Sequence, residues 1–199
     1  MDGAVRSTIM AAPILELNRR RWTVDEYWKM AEDGILHPDD RVELLDGDVV
    51  MMSPIGPHHG NVVDALTGLL VPRLQGIAVV RVQGAIQLDE YSQPQPDLAL
   101  LRRREGGYRE DQPRPGDIFL VIEVAKTSLT TDLEVKVPLY ARAGIPEVWV
   151  IDLSGNELLL HRNPSAHGYQ LVRAYGRADV VRVADLPEAT LSLNEILDG

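Results

Sequence analysis

The run FLVIEVA, Phe119 to Ala125, decides how the rest of the chain is read. It is short, rich in Val and Ile, and bounded by Pro115-Gly116 before it and Lys126-Thr127-Ser128 after it, the pattern of a strand buried on both faces. Glu123 breaks that pattern. An ionised carboxylate in such a place is costly unless a cation or donors compensate it, so the run asks for a partner for Glu123. Asp97 stands just ahead of a second apolar run, Leu98 to Leu101, and two acids at strand positions point to a shared metal ion. The bland alternative is a glutamate at the sheet rim, bonded to a backbone N–H or an arginine.

Toward the N-terminus, RVELLDGDVVMM from Arg41 to Met52 places two apolar runs around Asp46-Gly47, a dipeptide that favours positive φ and marks a hairpin. If Leu45 faces the core, Glu43 shares its face and becomes another inward acid; the alternative buries Val42 and Leu44 instead. Thr23-Val24-Asp25-Glu26 has the form of a capping box and predicts a helix to about Asp33, stopped by Gly34. Residues 1–20 are expected to form an arm, and 21–199 one domain. After Ser53-Pro54-Ile55-Gly56-Pro57 come His58 and His59, then an amphipathic helical pattern from Val62 to Leu74 that Pro72 disturbs. Adjacent histidines do not share a helix face, so a two-His metal site is not expected; one of them could instead reach a phosphate or metal-bound water. Strands are predicted over Ala78 to Val82 and Ala85 to Leu88, with Pro96 stiffening the approach to Asp97 and a polar loop from Arg102 to Arg114.

On the C-terminal side, DLEVKVPLYARA from Asp132 to Ala143 reads as helical, with Gly144 as its stop. Leu133, Val137, Tyr140 and Ala141 make its apolar stripe, and Lys136 lies at the edge of that stripe, where it either faces the sheet or snorkels outward. Pro138 requires a kink, or a regular helix that starts near it. VWVIDL, Val148 to Leu153, is another buried strand; an antiparallel meander and a short closing helix complete the chain.

Composition limits the options. The chain has 199 residues, 45% of them hydrophobic and 25% charged, which suits one soluble globular domain. No cysteine is present, so disulfides and thiolate metal sites are excluded, and a reducing, cytoplasmic setting is expected. No apolar run is long enough to span a membrane. The formal net charge of −10 argues against a broad phosphate-binding surface, although Arg19-Arg20-Arg21 and Arg102-Arg103-Arg104 concentrate positive charge. Such runs are commonly solvated faces.

Asp97, Glu123 and a lysine from the following helix form a set with known chemical uses. Two carboxylates on adjacent strands suit a hard divalent cation, and an ammonium nearby can orient water or stabilise developing charge, which together hydrolyse a phosphodiester. Pro96-Asp97, Glu123 and YARAGIPEVWVID, with RVELLDGDVV, SPIGPHH, QPQPDLALL and DLEVKVPLYARAGIPEVW, resemble the PD-(D/E)xK nuclease superfamily and its Uma-two type restriction endonucleases. The likeness runs from about Trp22 to the C-terminus. It implies an α/β (α+β) fold, with a restriction-endonuclease-like mixed sheet flanked by helices and an additional antiparallel hairpin section.

It also implies a Mg²⁺- or Mn²⁺-dependent endonuclease acting on DNA. Asp97 and Glu123 would be the metal ligands, Glu43 a further acid and Lys136 the catalytic lysine, with His59, Gln83 and Lys126 as accessory candidates. One departure matters: the superfamily lysine two residues after the acid is here Ala125. Lys136 is favoured over Lys126, which strand alternation aims away from Glu123. A nuclease fold kept as a weakly active or inactive binding module is the alternative, and a hydrolase of smaller phosphate compounds a third. Nucleases that cut duplexes often pair their sites, and the apolar edge of VWVIDL could support a homodimer.

Overall fold

The computed structural model describes residues 19–37 and 39–198. The proposed N-terminal arm therefore lies almost wholly outside the described residues. Helix α1, Val24–Glu32, begins at the expected capping box: the Thr23 hydroxyl accepts from the Glu26 N–H, and the Glu26 carboxylate accepts from the Thr23 N–H. Each such cap is worth about 1 kcal/mol. Strands β1, Val42–Leu45, and β2, Asp48–Met51, form the predicted hairpin, with Asp46 and Gly47 both at positive φ. A Cβ on Gly47 would also come within 2.5 Å of the Arg21 Cβ, so glycine is required there twice over.

Helix α2, Pro57–Arg73, opens with its proline at the first position and tolerates Pro72 only in its last turn. The main sheet runs through β3, Ala78–Val82; β4, Leu98–Arg102; β5, Ile118–Ala125; β6, Glu147–Asp152; β7, Glu157–Ser165; and β8, Gly168–Gly176, in that spatial order. Only β5 and β6 are parallel. The crossover between them comprises α3, Leu129–Thr131, a π-helical turn over Asp132–Lys136, and α4, Val137–Arg142. A hairpin of β9, Val180–Val183, and β10, Leu186–Ser192, then leads into α5, Leu193–Leu197.

Two apolar cores sandwich the sheet. Leu98, Leu100, Leu120, Ile122, Val124 and Trp149 pack with α2, α5 and the β9–β10 hairpin on one face. Ala99, Leu101, Val121, Ala125, Val148 and Val150 pack on the other with α4 and Leu45 of β1. The alternation of successive strand side chains produces this division, and the sheet buried on both faces follows from the near-continuous apolar runs in β4, β5 and β6. Among the described residues, no helix is long and apolar enough to cross a membrane.

Two expectations need correction, and one element is additional. Ala85 to Leu88 is not a regular strand, although the N–H groups of Ile86 and Leu88 bond back to Pro94 and Ser92 carbonyls across a loose two-stranded turn. The β9–β10 hairpin has no counterpart in the sequence reading. Most importantly, VWVIDL has no free edge: β6 is paired on both sides, by β5 and β7, so it offers no backbone for a homodimer contact.

Candidate active site

The register of β4 on β5 brings the first two acids together. Leu98 pairs with Ile122 in an antiparallel ladder, and one further step sets Asp97 opposite Glu123. Directly opposed residues project to the same side of a sheet. That side is the Ala99–Val121–Ala125 face, covered by the crossover and the N-terminal hairpin. The Asp97 Oδ2 accepts the Val124 N–H at 2.8 Å and lies 3.1 Å from His59 Nε2, in the first turn of α2. Asp97 and Glu123 therefore point to the same side of the sheet.

The crossover delivers the rest. Pro138 has no N–H, and its ring would crowd the carbonyl four residues earlier, so a regular α-helix starts only at Val137, with the proline in its first turn. Ahead of it the chain takes a wide turn in which the Val137 N–H bonds to the Asp132 carbonyl, five residues back. In an unbroken α-helix the eight residues from Asp132 to Tyr140 would rotate about 80° beyond two full turns. The wider turn removes much of that drift, and Asp132, Lys136 and Tyr140 all reach the same buried side.

Lys136 Nζ is 3.0 Å from Glu43 Oε2 and 3.3 Å from Glu123 Oε1. The same Glu123 oxygen accepts the Tyr140 hydroxyl at 2.6 Å, while Glu43 Oε2 also accepts the Gln95 N–H at 3.0 Å. Asp132 is held by the Ser128 hydroxyl at 2.7 Å. Burial pushes the Glu123 carboxyl well above the usual range, and the nearby Asp132, Asp97 and Glu43 charges push it further, against the pull of Lys136. Asp132 is raised for the same leading reason, burial, with Lys136 and Ser128 opposing. For Lys136, burial alone would lower the ammonium, but Glu123, Glu43 and Asp132 outweigh it and the balance is upward. Tyr140 is raised by burial and then by Glu123, which keeps it a phenol and a donor.

Glu43, Asp97, Glu123, Asp132 and Lys136 form the floor of a cleft of about 300 Å³, whose rim carries Arg41, Met51, Ile55 and Lys126. Among the described residues no three His, Cys, Asp or Glu side chains are grouped closely enough to enclose a metal by themselves. Mg²⁺ does not need such a cage, because it keeps several waters and commonly takes one or two carboxylates. The donor set fits that habit: Asp97 and Glu123 each bond protein donors through only one carboxylate oxygen among the described residues.

Of the residues singled out in the sequence, Glu43, His59, Asp97, Glu123 and Lys136 meet in the cleft. Lys126 lines it too, exposed just beyond the end of β5. Gln83 does not line it and acts through its backbone: its N–H donates to the Asp97 carbonyl at 2.8 Å, and its carbonyl accepts from the Gln95 side chain at 2.6 Å. Asp132 and Gln95 were missed, and Tyr140 was read only as part of an apolar stripe. One signal was available: Ser128, Asp132, Lys136 and Tyr140 are spaced by four, the pattern of a single polar helix face.

Comparison with known proteins bears on the family and the fold. The family model Uma2, described as "Putative restriction endonuclease", matches residues 24–194. A crystal structure of a "putative nuclease belonging to DUF820" from Anabaena variabilis ATCC 29413 superposes with a TM-score of 0.70 at 17% identity, over 88% of this chain and 97% of that one. The two chains share a fold. No curated protein sequence matches this one.

Proposed function

The chain belongs to the Uma2 family of restriction-endonuclease-like proteins, and from that premise we propose that it is a divalent-metal-dependent endonuclease that hydrolyses DNA phosphodiesters. The observation that carries the reading is the convergence of Asp97 and Glu123 from neighbouring strands into one cleft, with the Lys136 ammonium 3.3 Å from Glu123. Asp97 and Glu123 would hold Mg²⁺ or Mn²⁺. Bound there, the ion would supply Lewis acidity toward a phosphate oxygen and would acidify water.

The protein's own residues then divide the remaining work. The Val124 N–H and His59 fix the orientation of the Asp97 carboxylate. Tyr140 and Lys136 fix that of Glu123. Flanked by two carboxylates, Lys136 stays an ammonium, so its part is to donate to charge developing on the phosphate and not to accept a proton. Glu43 balances the Lys136 charge and ties it to the Gln95 backbone.

One observation favours the second reading, a weakly active binding module. Lys136 is committed to two buried ion pairs, so in this arrangement it serves the fold as a countercharge and must loosen its hold on Glu43 to reach substrate. Plasmid cleavage with Mg²⁺ or Mn²⁺ separates the two. Nicking by the wild type that disappears in Asp97→Ala and in Glu123→Ala supports the nuclease; equal activity in all three proteins removes it.

A further inference from the structure

We infer that the substrate enters this cleft as single-stranded DNA, its bases covered by an apolar lip at Met51, Pro54 and Ile55 and its phosphates met by Arg41 and Lys126. The acids lie deep: Glu43, Glu123 and Asp132 are buried, and the His59–Asp97 pair is nearly so. The lip above them is exposed, with Met51 at 84% and Ile55 at 42%, at the end of β2 and in the irregular segment before α2. Met51, Pro54 and Ile55 line the mouth of the cleft together, and a contiguous exposed apolar patch marks a surface that a ligand covers.

Charge supplies the rest of the match. Arg41 and Lys126 line the cleft and, among the described residues, neither has a carboxylate within ion-pair distance, whereas Arg19, Arg20, Arg21 and Arg104 are all paired with acids. Arg41 also braces the lip, donating to the Ser53 carbonyl at 3.2 Å. The arginine run at Arg102 to Arg104 is no extension of this surface, because it begins at the last residue of β4, whereas Asp97 stands just before the first, at the other end of the strand.

The two unpaired cations that line the cleft, on a chain of net charge −10, give few phosphate contacts, too few for the broad backbone footprint that holds a duplex. A duplex is also stiff, so lowering one phosphodiester to buried carboxylates drags its neighbours into the rim. A single strand bends freely, and its unstacked bases present the apolar faces that Met51 and Ile55 can cover. The choice of DNA rests on the nuclease reading; the preference for an unpaired strand rests on the lip and the buried floor.

The test is binding without turnover. Fluorescein-labelled 20-nucleotide DNA, as a single strand, as the same sequence in a duplex, and as single-stranded RNA, is titrated with the full chain in Ca²⁺ and followed by anisotropy. The single DNA strand should bind at least tenfold more tightly than the duplex. Its salt dependence should have a slope of about −1.4, the value for two phosphate contacts on a single strand. The doubly substituted chain Met51→Asp with Ile55→Asp should lose at least tenfold for the single strand with an unchanged Tm, since both side chains are exposed. Arg41→Gln or Lys126→Gln should each reduce the slope by about half.

Equal or tighter duplex binding, no detectable binding, or binding indifferent to the Met51 and Ile55 substitutions overturns the inference. Tighter binding of RNA overturns the assignment to DNA. A protein that binds the single strand at the lip but cuts nothing sinks the nuclease reading alone. One that cuts duplex DNA with the lip substituted sinks only this inference.

Discussion

Lys136 and Glu43 form a buried ion pair, Nζ to Oε2 at 3.0 Å, that fastens the β5–β6 crossover to the N-terminal hairpin. Removing one member of a buried pair strands the other charge, at a cost of about 3–5 kcal/mol. Lys136→Met should therefore destabilise strongly in urea titrations, because it leaves both Glu43 and Glu123 without their cation. Glu43→Gln should cost less, since Glu123 still pairs with Lys136. The double variant Glu43→Gln/Lys136→Met should cost clearly less than the sum of the singles; additivity would mean that the pair does not couple the two elements.

His59 touches Asp97 through Nε2, while its buried Nδ1 has no hydrogen-bond partner among the described residues. A side chain that orients a metal-binding carboxylate typically contributes 10–100-fold to metal affinity. His59→Ala should weaken Mg²⁺ binding in calorimetry by about that factor, with kcat largely restored at saturating metal. A fall in kcat that metal cannot restore would place His59 in contact with substrate instead.

Much of this arrangement was legible from the residues, and the failures have physical causes. Glu123 announced itself because a carboxylate in an apolar run needs an explanation, and Asp46-Gly47 because two successive positive φ values demand those residue types. For Asp132 the four-residue spacing with Lys136 and Tyr140 was the one signal, and a 3.6-residue projection obscures it because the acid's direction depends on a π-helical turn. The β9–β10 hairpin was hidden by an irregularity between Leu186 and Thr190 that shifts the two-residue period. Pairing partners such as Gln95, which serves Glu43 through its backbone N–H, leave no side-chain pattern to read.

Tyr140 gives Glu123 its shortest hydrogen bond, at 2.6 Å. Tyr140→Phe deletes that donor and little volume, leaving a buried carboxylate with Lys136 alone. The expected loss is about 1–3 kcal/mol of stability, read from the urea midpoint, together with weaker nicking if Glu123 must hold a fixed orientation. An unchanged midpoint would show that water replaces the phenol.

His161, on β7, provides a pH test away from the cleft. Its ring is buried against Tyr169, with centroids 5.8 Å apart, and its Nε2 has no hydrogen-bond partner among the described residues. Burial disfavours the imidazolium, so the folded pKa lies below the ordinary value of 6.5. As pH falls through about 6.5, the unfolded chain takes up a proton that the folded chain still refuses. Stability from this group is therefore complete above the unfolded pKa, declines as pH drops below it, and levels off once the folded pKa is passed. His161→Phe removes the titration, so the difference between wild-type and variant urea midpoints should shift in the variant's favour between pH 7.5 and pH 5.5. Parallel curves over that interval would mean that His161 finds a compensating partner when it is protonated.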